Sequence, residues 1–470
     1  MTTTTTLTAA GTRSLSRAGL GTVLLGAALA PIDMFIVNVA LPTIDADLHA
    51  STATLQWIVA GYGIAFALLL VVGGRLGDAF GRRRLFVAGL SAFTVTSLAC
   101  GIAPGVTTLV IARVAQGAAA AMMVPQALSI IQATTTGEHR ARTLGYYGAT
   151  GGIAMVVGQL LGGVLVTANV AGEGWRPIFL VNVPIGILGV LLAMRTLPET
   201  RATDPIGIDR AGTPLLGLAL LTLLIPLMEG RALGWPVWCW VLIGVFPFAV
   251  AAFVAVERRL EARGGVPLLP MSLLSTPAMR RGLGIAAPFF TGFGGFLFVY
   301  ALTLQDGLHL GPLGSGLALT PMAVAFLVAS LLSSRLVARI GHRVVVLGLS
   351  VQLLGLLTLV ATVLVAWPHV NVADLAPGTL ITGAGQGLVA PTMFRVILSR
   401  VPAGSAGAGS GVLTTTQQTF LALGVATLGT LFATLSVSGY GNALVTVTLV
   451  QAAMTALVAV AARRLPDPRG

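Results

Sequence analysis

Residues 74–84 of this chain read GRLGDAFGRRR, a polar stretch between two long apolar runs. Residues 334–344 read SRLVARIGHRV and repeat four of these residues at a constant offset of 260 positions. A second pair of stretches, AQGAAAAMM (115–123) and GQGLVAPTM (385–393), shares four residues at an offset of 270. Because both repeats relate the first part of the chain to the last part in the same order, the sequence predicts two related halves.

The composition places both halves in a membrane. Hydrophobic residues make up 56% of the 470 residues and charged residues only 9%, whereas a soluble domain carries about 25% charged residues. A helix needs about 20 mainly apolar residues to span a bilayer. Fourteen segments meet this requirement, and they start near Ala18, Leu55, Leu85, Gly105, Leu144, Pro177, Gly212, Pro236, Gly282, Gly314, Val344, Leu375, Ser410 and Gly441. We therefore expect an all-α polytopic membrane protein.

The repeat offsets divide the fourteen predicted helices into two six-helix halves and an inserted helix pair. The expected organisation is a cytoplasmic tail (1–17), a first half (18–211), the inserted pair (212–256), a cytoplasmic loop (257–281), a second half (282–462) and a cytoplasmic tail (463–470). Repeated halves are typical of secondary transporters, whose substrate site lies near the membrane midplane between the halves.

The arginines orient the predicted helices. With the N-terminus inside, cytoplasmic segments receive 23 arginines and the outer loops only Arg176 and Arg231. This is the positive-inside pattern, and an omitted helix would invert it for the rest of the chain. The pattern also explains the net charge of +12 without nucleic acid. We expect a multi-pass protein of a bacterial cytoplasmic membrane with both termini cytoplasmic, and we expect it to be a monomer.

Several function classes are disfavoured by the residues that the chain uses. All 27 basic residues are arginine, so the P-loop lysine that ATP-driven transport requires is missing. The sequence contains no DDxxD, HExxH or GxSxG motif, which argues against a polytopic membrane enzyme. The five histidines are predicted in loops or at helix ends, so we expect neither a metal site nor a cofactor.

The motifs of the chain resemble those of the major facilitator superfamily. GRLGDAFGRRR resembles that superfamily's loop between helices 2 and 3, and LVIARVAQGAAAA (109–121) resembles its helix-4 motif around an intramembrane arginine. APIDMFIVNVALP (30–42) and WRPIFLVNVPIG (175–186) are similar to the helix-1 and helix-6 signatures of its fourteen-helix drug:proton antiporter branch. The resemblance covers essentially the whole chain and implies the major-facilitator fold.

The resemblance also implies a role for the first motif, which in the family latches one half against the other. The residues that match this conformational loop motif are Gly74, Asp78, Gly81, Arg82 and Arg83. The two glycines are interpreted as allowing a tight turn or a close backbone approach. The alternative is a loop that is merely positively charged because it lies inside.

The predicted fifth helix departs from the antiporter branch. Where the branch carries GxxxGPxxGG, residues 149–165 read ATGGIAMVVGQLLGGVL, with Gln159 in place of the proline. Ala154, Gly158 and Gly162 keep a spacing that favours close helix packing, but a proline kink is not expected. This departure weakens the inference of antiport more than it weakens the inference of fold.

One acid and one arginine are predicted deep in the membrane. Asp33 lies eight residues before Leu41, at the outer end of helix 1, and Arg113 lies eight residues after Gly105 on helix 4, which runs the opposite way. Because charges inside a membrane usually pair, we expect Asp33 and Arg113 to meet and to serve in proton coupling. The alternative is a static pair that fixes two helices.

Further polar residues are candidates for a substrate path through the centre of the protein. They are Gln126, Tyr146, Tyr147, Gln159, Tyr300, Gln305, Gln417 and Gln418. Hydrogen bonding between helices is an equally good interpretation for each of them.

The leading hypothesis is therefore a proton-driven secondary transporter that exports small lipophilic or amphiphilic compounds, such as drugs or antibiotics. The resemblance and the single deep acid–arginine pair favour it. The alternative within transport is proton-linked movement of a specific metabolite, siderophore or lipid, which the missing helix-5 proline leaves open.

Overall fold

The computed structural model describes residues 15–201, 209, 211–265, 267–398 and 406–465, and every regular element within these ranges is helical. Residues 1–14 and 466–470 of the two predicted tails lie outside the described residues. The long helices are α1 (Arg17–Leu48), α2 (Thr52–Phe80), α3 (Arg82–Gly101), α4 (Val106–Thr134), α5 (Gly137–Ala168), α6 (Pro177–Thr196), α7 (Gly212–Glu229), α8 (Val237–Ala262), α9 (Pro277–Leu302), α10 (Pro312–Ile340), α11 (Arg343–Ala366), α12 (Val372–Leu398), α13 (Ala406–Leu435) and α14 (Tyr440–Ala462).

Within the described ranges, thirteen of these helices are long and apolar enough to cross a membrane. The remaining long helix, α12, has 27 residues and is less apolar, with Gln386 and Arg395 among its residues. Its glycines let it approach its neighbours closely: a Cβ on Gly383 would stand 2.1 Å from the carbonyl oxygen of Met322, and one on Gly387 would stand 2.2 Å from that of Phe326. Small residues are the usual means of close helix packing in membranes, and the prediction of fourteen spans is confirmed.

The helices form two six-helix halves, α1–α6 and α9–α14, as predicted. The inserted pair, α7 and α8, packs at the edge of the bundle. α7 bridges the halves, because Trp57 Nε1 on α2 donates to Glu229 Oε1 at 2.9 Å and Thr430 Oγ1 on α13 donates to the Leu227 carbonyl at 2.9 Å. Only 17% of the apolar segment of α8 is buried, so α8 presents most of its surface to lipid.

Two ends of the bundle can be distinguished by their arginines. The arginine-rich end carries the start of α1, the turn between α2 and α3 at Gly81, and the segment between α8 and α9. The arginine-poor end carries the turn between α1 and α2. Hydrogen bonds join the halves there: Gln305 Nε2 donates to the Val39 carbonyl at 2.7 Å, and Gln56 Nε2 donates to the Val425 carbonyl at 3.2 Å. The halves are thus held together toward the arginine-poor end.

Close packing of α5 against α1 follows the expected small-residue spacing. α5 is a continuous helix of 32 residues. A Cβ on Gly158 would stand 2.9 Å from the carbonyl oxygen of Ile32, and one on Gly162 would stand 2.9 Å from that of Ile36. The interpretation of this stretch as a packing surface is confirmed.

This packing predicts a position-specific effect of alanine. We expect Gly158→Ala to destabilise the protein by about 1–3 kcal/mol, since the added methyl group overpacks the contact with α1. Gly148→Ala is the matched control, because nothing in the described structure lies within 4 Å of a Cβ at that position of the same helix. Alanine there should be neutral or stabilise by about 0.5–1 kcal/mol. Thermal unfolding in detergent measures both, and equal effects would contradict the packing assignment.

Candidate functional site: a sealed acid–arginine centre

The centre of the first half is built around Asp33 on α1 and Arg113 on α4. Both side chains are fully buried, with 0% and 1% of their surfaces exposed. Arg113 Nη1 donates to Asp33 Oδ2, and Arg113 Nε donates to the Ile58 carbonyl on α2 at 3.0 Å. The two charges predicted to share a membrane level are therefore in direct contact.

Aromatic rings complete the surroundings of the guanidinium. Its carbon lies 4.4 Å from the ring centroid of Tyr62 and 5.7 Å from that of Phe179. Tyr62 also donates its hydroxyl to the Ala30 carbonyl on α1 at 3.3 Å. A cation over an aromatic face is attracted by the ring quadrupole, so Tyr62 holds Arg113 in the position from which it pairs with Asp33.

Two amide side chains donate hydrogen bonds to the second carboxylate oxygen of Asp33. Gln116 Nε2 on α4 and Asn182 Nδ2 on α6 each donate to Asp33 Oδ1 at 2.9 Å. Gln116 also donates to Ser97 Oγ on α3 at 2.8 Å and accepts from Arg113 Nη1 at 2.6 Å. Side chains of α4 and α6 thus bond the carboxylate directly, and groups of α2 and α3 hold these side chains in place.

Sequence reasoning did not find Gln116 or Asn182 as partners of Asp33. A signal for each was present, because Gln116 is one helical turn beyond Arg113 within LVIARVAQGAAAA and Asn182 lies within WRPIFLVNVPIG. Residues three apart share a helix face, which places Gln116 beside the arginine. No comparable spacing argument relates Asn182 to α1.

The arrangement can store or release a proton according to its geometry. Burial disfavours a charged carboxylate, whereas an adjacent arginine and hydrogen bonds from donors favour it. Both effects act on Asp33, since its side chain is fully buried and accepts hydrogen bonds from Arg113, Gln116 and Asn182. Whether Asp33 holds a proton therefore depends on whether these donors stay in place.

The conformational loop motif forms a tight turn at the arginine-rich end. Gly81, between α2 and α3, has φ +111°, a conformation that favours glycine. Arg82 donates to Asp78 Oδ1 through Nε at 3.0 Å and through Nη2 at 2.8 Å. The Arg83 N–H donates to Glu199 Oε1 at 3.2 Å, beyond the end of α6. Glu199, which sequence reasoning missed, therefore holds the turn against the segment that follows α6 in the same half.

The interpretation of Gly74 as a close-approach glycine was wrong. A Cβ there would meet only Pro125 Cβ at 3.7 Å, an ordinary contact. The close approaches are made at Gly73, where a Cβ would stand 2.1 Å from the Ala121 carbonyl oxygen, and at Gly77, where it would stand 1.9 Å from Gln126 Oε1. Successive helix positions are rotated by about 100°, so Gly74 meets α4 only at the edge of the contact, at an ordinary distance from Pro125.

The candidate substrate-path residues are dispersed. Gln126 Nε2 donates to the Gly73 carbonyl at 2.8 Å and Gln305 joins α9 to α1, so both make helix contacts. Gln159 and Tyr300 are fully buried, and the Gln159 amide and the Tyr300 hydroxyl have no hydrogen-bond partner in the described part of the chain. Tyr146 on α5 is 51% exposed.

Tyr147 and Gln417 are partly buried, and Gln418 is buried. Gln418 on α13 lines a small cavity between the halves together with Met34, Asn38 and Tyr62. The cavity thus borders the ring that supports Arg113.

Two related six-helix halves with a cavity between them are the architecture of secondary transporters. The family model of the Major Facilitator Superfamily matches residues 23–425. The chain belongs to this superfamily, and its architecture is that of a membrane transporter.

Relatives and solved structures agree with this assignment. The chain is 39% identical over 434 residues to the "Probable actinorhodin transporter" of Streptomyces coelicolor, covering 90% of this chain and 74% of that protein. It is 35% identical over 421 residues to "Puromycin resistance protein pur8" of Streptomyces alboniger, covering 88% and 81%. A crystal structure of an auto-inhibited POT family peptide transporter superposes with a TM-score of 0.69 at 14% identity, covering 96% of this chain and 98% of that chain. The last likeness concerns the fold alone.

Proposed function

We propose that this chain is a proton-driven transporter that exports small lipophilic or amphiphilic compounds, including antibiotics. The observation that carries the proposal is the sealed contact of Asp33 with Arg113 beside a cavity between the halves. The names of relatives that cover most of the chain support it, since they refer to actinorhodin transport, puromycin resistance and export of tetracenomycin C and cephamycin.

Tyr62 couples the cavity to the ion pair in this proposal. Its side chain lines the cavity and its ring lies 4.4 Å from the Arg113 guanidinium carbon. A compound bound between the halves would hold this ring, and with it the arginine, against Asp33. The counter-charge favours the ionised carboxylate, so binding of the compound would release the proton. Departure of the compound would let the arginine move away, and the buried Asp33 would take up a proton again.

The remaining features are assigned on the same basis. The arginine-rich end faces the cytoplasm of a bacterial cell, as the positive-inside rule requires, and both termini lie on that side. The turn at Gly81 controls the relative movement of the halves, which extend over 18–211 and 282–462 with 212–256 inserted. Gln418 belongs to the substrate path because it lines the cavity. The further candidates for the path are Tyr146, Tyr147, Gln159, Tyr300 and Gln417, and Gln126 and Gln305 are candidates that would have to leave their present helix contacts. The transporter works as a monomer on a small molecule and protons.

Everted membrane vesicles test proton-coupled export. Respiration acidifies their interior, and an exporter that exchanges substrate for protons should dissipate the pH gradient when substrate is added outside. We expect puromycin or actinorhodin to do so in vesicles containing this chain and not in vesicles from cells without it. A pH-sensitive fluorescent dye reports the gradient. No dissipation by either compound, combined with energised accumulation of a single metabolite by intact cells, would favour the alternative of a dedicated importer.

A further inference from the structure

A second group of acids lies at the arginine-rich end, far along the chain from Asp33. Asp209 precedes α7, and Glu257 and Glu261 lie one turn apart near the end of α8. These three carboxylates, which we call the clasp, hold the segment that leads from α8 toward α9. Glu257 Oε2 accepts the Leu269 N–H at 2.8 Å, and Glu261 Oε2 accepts the Met271 N–H at 2.9 Å.

Asp209 connects this segment to the start of α7. Its Oδ1 accepts the N–H groups of Ala211 at 3.0 Å and Gly212 at 2.7 Å, and its Oδ2 accepts the N–H of Leu268 at 3.1 Å. Burial raises the pKa of Asp209, but hydrogen bonds from Glu257 and from the three backbone N–H groups outweigh it and lower the pKa overall. Asp209 is therefore the charged member of the clasp.

Glu257 faces Asp209 with an oxygen that lacks a donor. The Glu257 side chain is fully buried, and its Oε1 accepts a hydrogen bond from no donor among the residues that the structure describes. A Cβ on Gly212 would stand 1.9 Å from Glu257 Oε1 and 2.1 Å from Asp209 Oδ2. The two oxygens therefore lie side by side in the space that a glycine leaves open. Two carboxyl groups that share one site in this way cannot both be ionised without a large cost in free energy.

The surrounding charges balance one negative charge on the pair. Arg75 on α2 lies close enough to interact electrostatically with both Asp209 and Glu257, and its Nη2 donates to the Pro267 carbonyl. Glu261, the next acid along α8, is occupied by the N–H groups of Met271 and Ser272. Among the residues that the structure describes, Arg75 is the arginine that interacts with this pair, and with it the neutral state of Glu257 leaves no uncompensated charge.

We propose that Glu257 Oε1 and Asp209 Oδ2 bind one proton between them, and that this shared proton keeps the clasp closed. Its loss at alkaline pH on the arginine-rich side leaves two adjacent anions and releases the segment around residues 267–272. Through Arg75 the clasp also reaches α2, which carries the start of GRLGDAFGRRR. The protein thereby has a pH-sensitive link between the inserted helix pair and the first half, separate from Asp33 and independent of the proposed export function.

Cysteine accessibility tests the clasp in the full-length protein. Leu273 is buried and Ser275 is exposed on the same one-turn helix, Met271–Ser275, that follows the clasp. With Cys100 and Cys239 replaced by alanine, Leu273→Cys reports opening, and Ser275→Cys corrects for the pH dependence of the thiol reaction. We expect the ratio of maleimide labelling at the two positions to rise several-fold as pH increases.

Two variants separate a shared proton from general loosening. In Glu257→Gln an amide N–H donates permanently to Asp209, so the labelling ratio should stay low and flat with pH. Glu261→Gln is the matched control. The labelling ratio should still rise with pH in this variant, since Glu261 accepts hydrogen bonds from Met271 and Ser272 and shares no proton with another carboxylate in the proposal. If the labelling ratio of the protein with its native clasp does not change with pH, the proposal is overturned, and no variant at Glu257 is needed for that conclusion. The same rise in Glu257→Gln also overturns it.

Discussion

Asp33→Asn is expected to move substrate only down its own gradient. Asparagine has nearly the size of aspartate and can still accept from Gln116 and Asn182, but it cannot take up and release a proton. In everted vesicles, the uptake of an export substrate that the proton gradient drives should fall to the level of vesicles without the protein. Exchange of labelled for unlabelled substrate, which needs no proton, should persist.

Asp47→Asn provides the matched control for this loss. Asp47 lies on the same helix near the arginine-poor end, where it accepts from Trp175 Nε1 at 2.9 Å and pairs with Arg176 at 3.0 Å. Its side chain is 45% exposed, so an asparagine there should leave gradient-driven uptake nearly unchanged. If Asp33→Asn retains full gradient-driven uptake, the proton travels by another group and the coupling role proposed for Asp33 is wrong.

The contact between Asp33 and Arg113 could be predicted because charge inside a membrane is rare. Two isolated charges of opposite sign, each eight residues from the helix end predicted for it, leave little choice of partner. The structure extends α1 to Leu48, beyond the predicted end at Leu41, but keeps the two charges in contact. Gln116 and Asn182 were not predicted because neutral amides are common in membrane helices and do not demand a partner of opposite charge. Their contribution depends on the rotation of α4 and α6 about their axes, which hydrophobic runs of this kind do not define.

The overall fold could be predicted from the sequence, whereas the residues at its close contacts could not. Helix number and the two related halves follow from apolar run lengths and repeat offsets, which are properties of the sequence alone. The motif predicted a tight turn or a close backbone approach at Gly74, whereas α2 approaches α4 most closely at Gly73 and Gly77, because successive helix positions are rotated by about 100° and the motif alone does not define which of them faces α4. The clasp partners Asp209 and Glu257 are separated by a complete helical hairpin, so only the folded chain brings them together.

Arg113→Met should be among the most destabilising single substitutions in the protein. Methionine preserves much of the arginine stem, so the change removes the charge while leaving a smaller void than alanine would. Asp33 would remain fully buried without a counter-ion, and breaking a buried pair in this way costs about 3–5 kcal/mol. Protonation of Asp33 relieves the penalty, so the variant should recover stability relative to the original protein as pH falls.

Thermal unfolding in detergent at several pH values, extended to the double variant Asp33→Asn/Arg113→Met, decides between charge and packing as the cause. The double variant has no buried charge at this position and should regain most of the lost stability, with little dependence on pH. Arg176→Met breaks the exposed pair with Asp47 and should cost no more than about 1 kcal/mol. A double variant no more stable than Arg113→Met would mean that the arginine acts through its contacts with Tyr62 and the Ile58 carbonyl. Asp33 would then have to be stabilised by its two amide donors alone, and the release of its proton could not depend on movement of Arg113.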